Sequence, residues 1–201
     1  MGAGQLDGMR VAFAVANEGV EQVELTLPWD AVVGAGGQPV LVSGKPGTVQ
    51  AFNHLDKGEE FPVDKTFEQV SAGDFDALVL PGGVANPDAL RMDATAVGFV
   101  KSFFEADKPV AAICHAPWML VEAGVLEGRT LTSWPSLRTD ITNAGGTWRD
   151  DEVVRDGILV TSRKPDDLPA FNEAMVTLFA GTQSHADERG VLTPPFAVGY
   201  E

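Results

Sequence analysis

The sequence has one cysteine, few basic residues and no long apolar run. Only 14 of its 201 residues are Lys or Arg, against 29 Asp or Glu, so the formal net charge is −15. Binding to phosphate groups needs clustered Lys and Arg, so we expect neither nucleic acid nor an anionic membrane as a partner. A single cysteine excludes a disulfide within the chain and favours a reducing cytoplasm. The first residues lack the basic and apolar stretches of a signal peptide, and no run approaches a membrane span.

Motifs for common cofactors are also missing. The sequence contains no phosphate-binding loop and no dinucleotide fingerprint. Of its three histidines, His54 and His185 lie in polar segments and are not at metal-ligand spacing. We therefore expect no cofactor and no metal.

Short apolar runs alternate along the chain with amphipathic segments. This alternation predicts a parallel sheet covered by helices, because strands that are apolar on both faces must be buried on both. The polar, Gly- and Pro-punctuated stretch 44–74 allows only short strands and a helical turn near 66–70. Asp156-Gly157 is a hairpin signal. The strongest predicted strands are 9–15, 39–43, 76–80 and 110–113, with a weaker one at 129–133, and the predicted helices are 21–34, 94–106, 137–143 and 168–179. We expect one domain over 9–180, an N-terminal tail over 1–8 and a C-terminal extension over 181–201.

Cys114 lies between a predicted strand and a predicted helix. The apolar run 110–113 precedes it, Pro117 suits the first turn of a helix, and Gly124 suits its end. A lone cysteine is usually a small buried apolar residue. A turn position favours a nucleophile instead, held above the sheet edge near a helix N-terminus that would stabilise the thiolate.

Three polar segments follow predicted strands and should meet at one edge of the sheet. They are the acidic stretch 17–24, the pair Gly82-Gly83 and Cys114-His115. Ligands of open parallel sheets bind at this edge. A cysteine nucleophile needs a route for its proton and donors for an oxyanion. His115 or a carboxyl group can carry the proton, and the amides of Gly82 and Gly83 can bind the oxyanion because glycine lets the backbone approach closely.

Several motifs resemble the DJ-1/PfpI superfamily, and in particular its PfpI-like bacterial stress proteins and intracellular proteases. They occur in consistent order over about residues 10–180 and include Leu-Pro-Gly-Gly at 80–83, Ala-Ile-Cys-His-Ala-Pro at 112–117, Glu-Ala-Gly-Val-Leu-Glu-Gly-Arg at 122–129, Thr-Ser-Trp-Pro at 132–135 and Val-Thr-Ser-Arg at 160–163. The resemblance implies an α/β, flavodoxin-like three-layer sandwich with a mostly parallel sheet and a nucleophile elbow. It also implies a homodimer or a higher homo-oligomer.

The resemblance assigns the reactive nucleophile to Cys114, its neighbouring histidine to His115 and the carboxyl partner of the thiolate to Glu21. This sequence has one extra residue between Asn17 and Glu21, so the assignment depends on the Val-Glu-Leu that follows. Glu18 is an alternative, and Glu24 is the least favoured because helical spacing predicts that it points elsewhere. Helix capping would explain Glu21 equally simply.

Asp88 is the candidate for an acid that, in PfpI-like hexamers, orients the histidine of the adjacent subunit. One residue is inserted between the double glycine and Asp88, which weakens the correspondence. An acid beside Pro87 at the start of a helix is an equally good interpretation.

These residues support three functional hypotheses. The leading one is a stress enzyme in which Cys114 attacks a small reactive aldehyde, or its adduct on a protein, in glyoxalase-like or deglycase-like chemistry. The second is an intracellular cysteine peptidase that uses Cys114 and His115. The third is a redox sensor or chaperone in which oxidation of Cys114 is the signal.

Overall fold

The computed structural model describes the backbone of residues 4–190 and the side chains of residues 4–182. Twelve strands lie in this part of the chain: β1 Arg10–Ala14, β2 Glu18–Glu21, β3 Gln38–Ser43, β4 Thr48–Asn53, β5 Asp56–Pro62, β6 Lys65–Thr66, β7 Ala77–Leu80, β8 Val110–Ile113, β9 Thr130–Leu131, β10 Thr147–Trp148, β11 Val153–Asp156 and β12 Leu159–Ser162. The α-helices in the same part are α1 Gln22–Gly34, α2 Ala85–Leu90, α3 Ala94–Glu105, α4 Pro117–Glu122, α5 Arg138–Asn143 and α6 Leu168–Gly190.

The central sheet has seven strands in the order β11-β12-β8-β7-β1-β3-β6. All neighbouring pairs are parallel except β11 and β12, which form the antiparallel hairpin predicted from Asp156-Gly157. The four strands β1, β7, β8 and β12 lie side by side, so the segments that follow β1, β7 and β8 meet at one edge. This is the juxtaposition predicted for the three polar segments.

Side chains alternate across the central sheet and feed two separate hydrophobic cores. On β1, Val11 and Phe13 belong to the core that α1 and α6 cover, through Leu25 and Phe171. Ala12 and Ala14 belong to the core on the opposite face, which α3, α4 and α5 cover, through side chains such as Phe99, Leu120 and Ile141. The predicted three-layer α/β sandwich, with helices on both faces of a mostly parallel sheet, is therefore confirmed.

Two small sheets lie outside the central one. The uncertain stretch 44–74 contains β4 and β5, which form an antiparallel hairpin, and β2 pairs with β4 in parallel. The predicted strand 129–133 is shorter than expected, and β9 pairs with β10 rather than joining the central sheet. Strand β2 was not predicted, because its four residues lie in what the sequence indicates is a loop before α1.

The last helix is longer than the sequence suggests. We predicted its end at Phe179 because the residues that follow are polar, but α6 continues to Gly190. The first ten residues of the predicted C-terminal extension are thus helical, whereas residues 191–201 lie outside the described part. None of the described helices is long and apolar enough to cross a membrane.

Candidate active site

Cys114 occupies a strained turn between β8 and α4. Its φ is +62°, in the left-handed region that non-glycine residues rarely adopt. The backbone around it is fixed on both sides: Cys114 N donates to Ser162 O at 3.1 Å, and Trp134 N donates to Cys114 O at 2.8 Å. The predicted nucleophile elbow is present, and its strain persists because these neighbouring strands and loops hold it.

The carboxyl group beside the thiol belongs to Glu24, not to Glu21. Glu24 is the third residue of α1, is fully buried, and faces the Cys114 thiol and the amides of Gly82 and Gly83. Neither of its carboxyl oxygens has a partner in regular hydrogen-bond geometry within the described part of the chain. A buried carboxyl group that is not saturated by protein donors is available to a ligand.

The predicted contact between Glu21 and the thiol is therefore wrong. Glu21 ends β2 and precedes the helix, so its half-buried side chain points toward the β4–β5 hairpin, where Oε2 accepts a hydrogen bond from His54 N at 3.0 Å. The error lies in treating Glu21 as the first residue of the helix. Glu21 is instead the last residue of β2, so its side chain follows the strand, whereas Glu24 lies on the buried face of α1. Glu18, the other alternative, is exposed on the rim of the same cleft.

Burial controls the ionisation of this pair. It raises the pKa of Glu24 from an ordinary value of 4.5 to about 8, so this carboxyl group is mostly protonated at neutral pH. Burial also raises the pKa of the Cys114 thiol, and the charge of Glu24, when ionised, raises it further. The amides of Gly83 and His115 act in the opposite direction. We expected the helix N-terminus to favour the thiolate, but burial outweighs it, and the two groups titrate as one unit.

His115 contacts the thiol directly. Its Nδ1 is 3.2 Å from Cys114 Sγ, although neighbouring residues usually point apart. The ring stacks on Trp134 at 5.7 Å between ring centroids, and Trp118 packs against its edge at 5.3 Å. Burial lowers the pKa of His115 to about 4, so the imidazole is neutral at physiological pH and can accept a proton from sulfur.

The two predicted oxyanion glycines differ in what their amides face. The Gly83 N–H faces both the sulfur and the Glu24 carboxyl group, the N–H of His115 faces the sulfur, and the Gly82 N–H faces the Glu24 carboxyl group. A Cβ atom at Gly82 would lie 2.7 Å from Cys114 Cβ and would overlap Glu24 Oε2, so only glycine fits there. Gly83 has a φ of +82°. The two donors at the sulfur are therefore the amides of Gly83 and His115.

These groups open into a cleft of about 810 Å³. Cys114, His115, Glu24 and Gly83 line its floor, and Asp88 lies on its wall. Within the described part of a single chain, no carboxylate forms a hydrogen bond to the His115 ring. The predicted role of Asp88 in orienting a histidine concerns a second subunit and stays a prediction.

Several cleft residues were given little weight in the sequence. His54, expected to be solvated in a polar loop, follows β4 at the cleft rim with a φ of +60°. Trp134 lines the cleft, while Trp118 donates from Nε1 to Asp140 at 2.8 Å. Asn86 carried no signal in the sequence, because its partners are up to 70 residues away along the chain.

Comparisons with known proteins find a deglycase and a protein named as a cysteine protease among the relatives of this chain. The chain is 44% identical over 170 residues to a deglycase of Pyrococcus horikoshii, which covers 85% of this chain and 99% of that protein. It is 41% identical over 169 residues to a Bacillus subtilis protein whose name assigns it, provisionally, to the cysteine proteases; the match covers 84% of this chain and 97% of the relative.

Solved structures and a family model extend the comparison to the whole domain. The crystal structure of Drosophila melanogaster DJ-1beta matches 92% of this chain and 98% of its own, with a TM-score of 0.77 and 29% identity. The DJ-1/PfpI family model matches residues 9–178, which include every candidate site residue. The chain belongs to the DJ-1/PfpI family.

Proposed function

We propose that this protein is a cysteine-dependent stress enzyme that converts small reactive carbonyl compounds, with Cys114 as the nucleophile, Glu24 as a proton donor and acceptor, and His115 as the base for the thiol. One observation carries the proposal. A strained cysteine, a neutral imidazole at 3.2 Å and a buried carboxyl group whose oxygens have no partner in regular hydrogen-bond geometry line one cleft. The deglycase relative supports carbonyl adducts as the substrate class.

The first step is addition of sulfur to an aldehyde. His115 Nδ1 takes the thiol proton as the Cys114 sulfur forms a bond to the carbonyl carbon. The carbonyl π bond breaks toward oxygen, which receives the proton of Glu24, and the amides of Gly83 and His115 stabilise the negative charge that develops on the reacting sulfur and oxygen. The product is a hemithioacetal, and Glu24 is left as a carboxylate.

For a 2-oxoaldehyde such as methylglyoxal, the same groups complete the reaction without an external oxidant. The Glu24 carboxylate removes the proton from the hemithioacetal carbon and returns it to the neighbouring keto carbon, while the proton of the hemithioacetal hydroxyl passes to the keto oxygen. One carbon is thereby oxidised to a thioester and the other is reduced to an alcohol. Water then attacks the thioester carbonyl and gives a proton to the Glu24 carboxylate, the carbon–sulfur bond breaks, the sulfur takes the proton held by His115, and a 2-hydroxy acid leaves.

The decisive experiment compares the wild-type protein with Cys114→Ala. We expect Cys114→Ala to abolish methylglyoxal consumption and hydroxy-acid formation, because no other thiol exists in the chain. Methylglyoxal consumption and hydroxy-acid formation should be measured on purified protein whose folding has been verified by circular dichroism. Unchanged consumption by Cys114→Ala would refute the proposal.

A peptidase is the second candidate, and Asp88 is the observation that favours it. Asp88 lines the same cleft as His115, and an acid supplied by a second copy could orient the imidazole for attack on a peptide. The cleft rim also has exposed apolar side chains, Leu55 at 93% and Val84 at 58%, which support a homodimer or a higher homo-oligomer that covers them. Assaying the same two proteins on a labelled casein separates the candidates. Hydrolysis that depends on Cys114, in the absence of methylglyoxal turnover, would favour the peptidase.

The redox hypothesis uses the same sulfur. Cys114 is 7% exposed, and the neighbouring amides and the Glu24 carboxyl group could bind the oxygens of a sulfenic or sulfinic acid. Under this hypothesis, mild peroxide oxidises Cys114 in the wild-type protein. Mass spectrometry that finds the thiol unmodified would exclude it.

A further inference from the structure

The side chain of Asn86 is buried, and all its hydrogen bonds are to backbone atoms in the loops of the active site. Its Oδ1 accepts from Ala16 N at 2.7 Å, and its Nδ2 donates to both Pro81 O and Gly82 O at 3.0 Å. Asn86 is only 1% exposed, and it does not line the cleft. It therefore connects the segment after β1 with the Pro-Gly-Gly segment after β7, without access to a substrate.

The bond to Gly82 O determines the orientation of one peptide group. Gly82 O accepts from Asn86 Nδ2 and also from Glu21 N at 3.4 Å. In a trans peptide the C=O and the following N–H point in opposite directions. Holding the Gly82 carbonyl away from the cleft thus turns the Gly83 N–H toward the Cys114 sulfur, which it faces in the structure.

The peptide group between Gly82 and Gly83 needs the hydrogen bond from Asn86 as a restraint, because it has a glycine on each side. A peptide group between Gly82 and Gly83 can rotate with little steric cost, because neither residue has a Cβ atom. A rotated peptide would point its carbonyl oxygen at the sulfur and would destabilise a thiolate. The side chain that fixes this rotation therefore affects the reactivity of the thiol from a distance.

The two segments that carry an extra residue relative to the family motifs form this support together. Gly19 lies at the irregularity in the β2–β4 pairing, where the register shifts between Glu18 and Val20. A Cβ atom at Gly19 would lie 2.6 Å from Ala85 Cβ and 2.9 Å from Asn86 N, and a Cβ atom at Gly83 would overlap Gly19 O. The extra residue before Glu21 thus packs directly against the segment 83–86, where the second extra residue lies.

We propose that Asn86 is a positioning residue: by holding the Gly82 carbonyl, it fixes the Gly82–Gly83 peptide group and aims the Gly83 N–H at the sulfur of Cys114. The proposal refines the site used in the proposed function, but it concerns the thiol alone. It can therefore fail or hold independently of the substrate.

Alkylation of the thiol by iodoacetamide is the test, because Cys114 is the only cysteine and the label reports on it alone. The rate constant is measured from pH 6 to pH 10 for the wild-type protein, Asn86→Asp and Asn86→Ala. We expect both variants to shift the pH profile upward by about one unit, which lowers the rate at a fixed pH below the midpoint about tenfold. A purely structural role would lower the stability and leave this profile in place.

Two controls make the result specific. Asn172 in α6 is also a buried asparagine, does not line the cleft, and its Oδ1 has no partner in the described part of the chain. Asn172→Asp and Asn172→Ala should leave the profile unchanged. If Asn86→Asp shifts the profile and a folded Asn86→Ala does not, the effect is one of charge and the proposal is overturned.

A second measurement uses the native side chain, in case the variants do not fold. The amide resonance of Gly83 is followed by nuclear magnetic resonance across the same pH range in the wild-type protein and in Cys114→Ser. We expect a shift in the wild-type protein that follows the pH profile of alkylation and that is reduced in Cys114→Ser, where only the Glu24 carboxyl group still titrates beside this amide. A Gly83 amide that is insensitive to the titration would overturn the proposal.

Discussion

The two ends of the central sheet each carry a cleft whose lining includes charged residues, of about 810 Å³ at the carboxyl end and 590 Å³ at the amino end. At the amino end the polar groups are paired. Asp76 accepts from Arg10 N at 2.8 Å, and Lys108 Nζ donates to Ala72 O at 2.8 Å and to Phe75 O at 2.6 Å. At the carboxyl end, the buried oxygens of Glu24 lack regular partners, and Cys114 is strained.

This difference separates polar groups that stabilise the fold from polar groups that are available for chemistry. A satisfied hydrogen bond contributes to the free energy of folding, whereas a buried group without a partner costs free energy unless a ligand completes it. Both clefts contain charged residues, so charge alone does not distinguish them. Among the described residues that line the two clefts, the buried oxygens without regular partners belong to Glu24, which supports the carboxyl end as the candidate site.

The largest expected effect contrasts two glutamates at the start of α1. Glu24→Gln keeps a donor beside the thiol but cannot transfer a proton, so we expect turnover of methylglyoxal to fall by about 10²–10⁴-fold. Glu21→Gln removes a carboxylate that accepts from the backbone of His54, and we expect a loss of at most about tenfold. Steady-state kinetics on both variants give the comparison. Equal losses, or a larger loss for Glu21→Gln, would return the proton-transfer role to Glu21.

These two residues also show how far the sequence leads. The elbow at Cys114 was predictable because local signals define it: an apolar strand before it and Pro117 after it. The choice among the acids at 18, 21 and 24 was not predictable, since residues 21 and 24 share a face if both are helical and no local pattern shows that Glu21 ends a strand before the helix starts. The structure places that start at Gln22.

Non-local contacts account for what else was missed. The layers of the fold follow from the alternation of apolar strands and amphipathic helices, which is a local pattern. The hydrogen bond from Ala16 N to Asn86 joins residues 70 apart, and no pattern in either segment indicates it. The end of α6 was placed too early because polar composition resembles that of a loop, although a helix can continue through polar residues.

The second expected effect is a pH dependence of stability that originates at the carboxyl end. The pKa of Glu24 is about 8 in the folded protein and 4.5 ordinarily, so between these values the folded state binds more protons than the unfolded state. Its contribution to stability is present at low pH and is lost as the pH rises toward 8. The pKa of His115 is lowered to about 4, so this residue changes the free energy of unfolding only below about pH 6.5, where acidification reduces the stability.

The window above pH 6.5 therefore isolates the Glu24–Cys114 pair. We expect the free energy of unfolding of the wild-type protein to fall by up to about 2 kcal/mol between pH 6.5 and pH 8, since one pKa unit corresponds to ~1.4 kcal/mol. Denaturant titrations at these two values measure it. Glu24→Gln should reduce the fall, and an equally steep fall in that variant would place its origin elsewhere.

The smallest expected effect belongs to the amino end. Lys108→Met removes the ammonium group that bonds to two backbone carbonyls while keeping the apolar part of the side chain. We expect the free energy of unfolding to fall by about 1 kcal/mol, the usual net value of a partly exposed hydrogen bond, with no change in methylglyoxal turnover or in the alkylation rate of Cys114. Denaturant titration and both activity assays are made on the same preparation. Lys108 lies at the opposite end of the sheet, and its ammonium group is hydrogen-bonded there. A change in thiol reactivity in Lys108→Met would therefore show that the two ends are coupled. It would also show that the presence of hydrogen-bond partners does not separate structural from reactive groups in this fold.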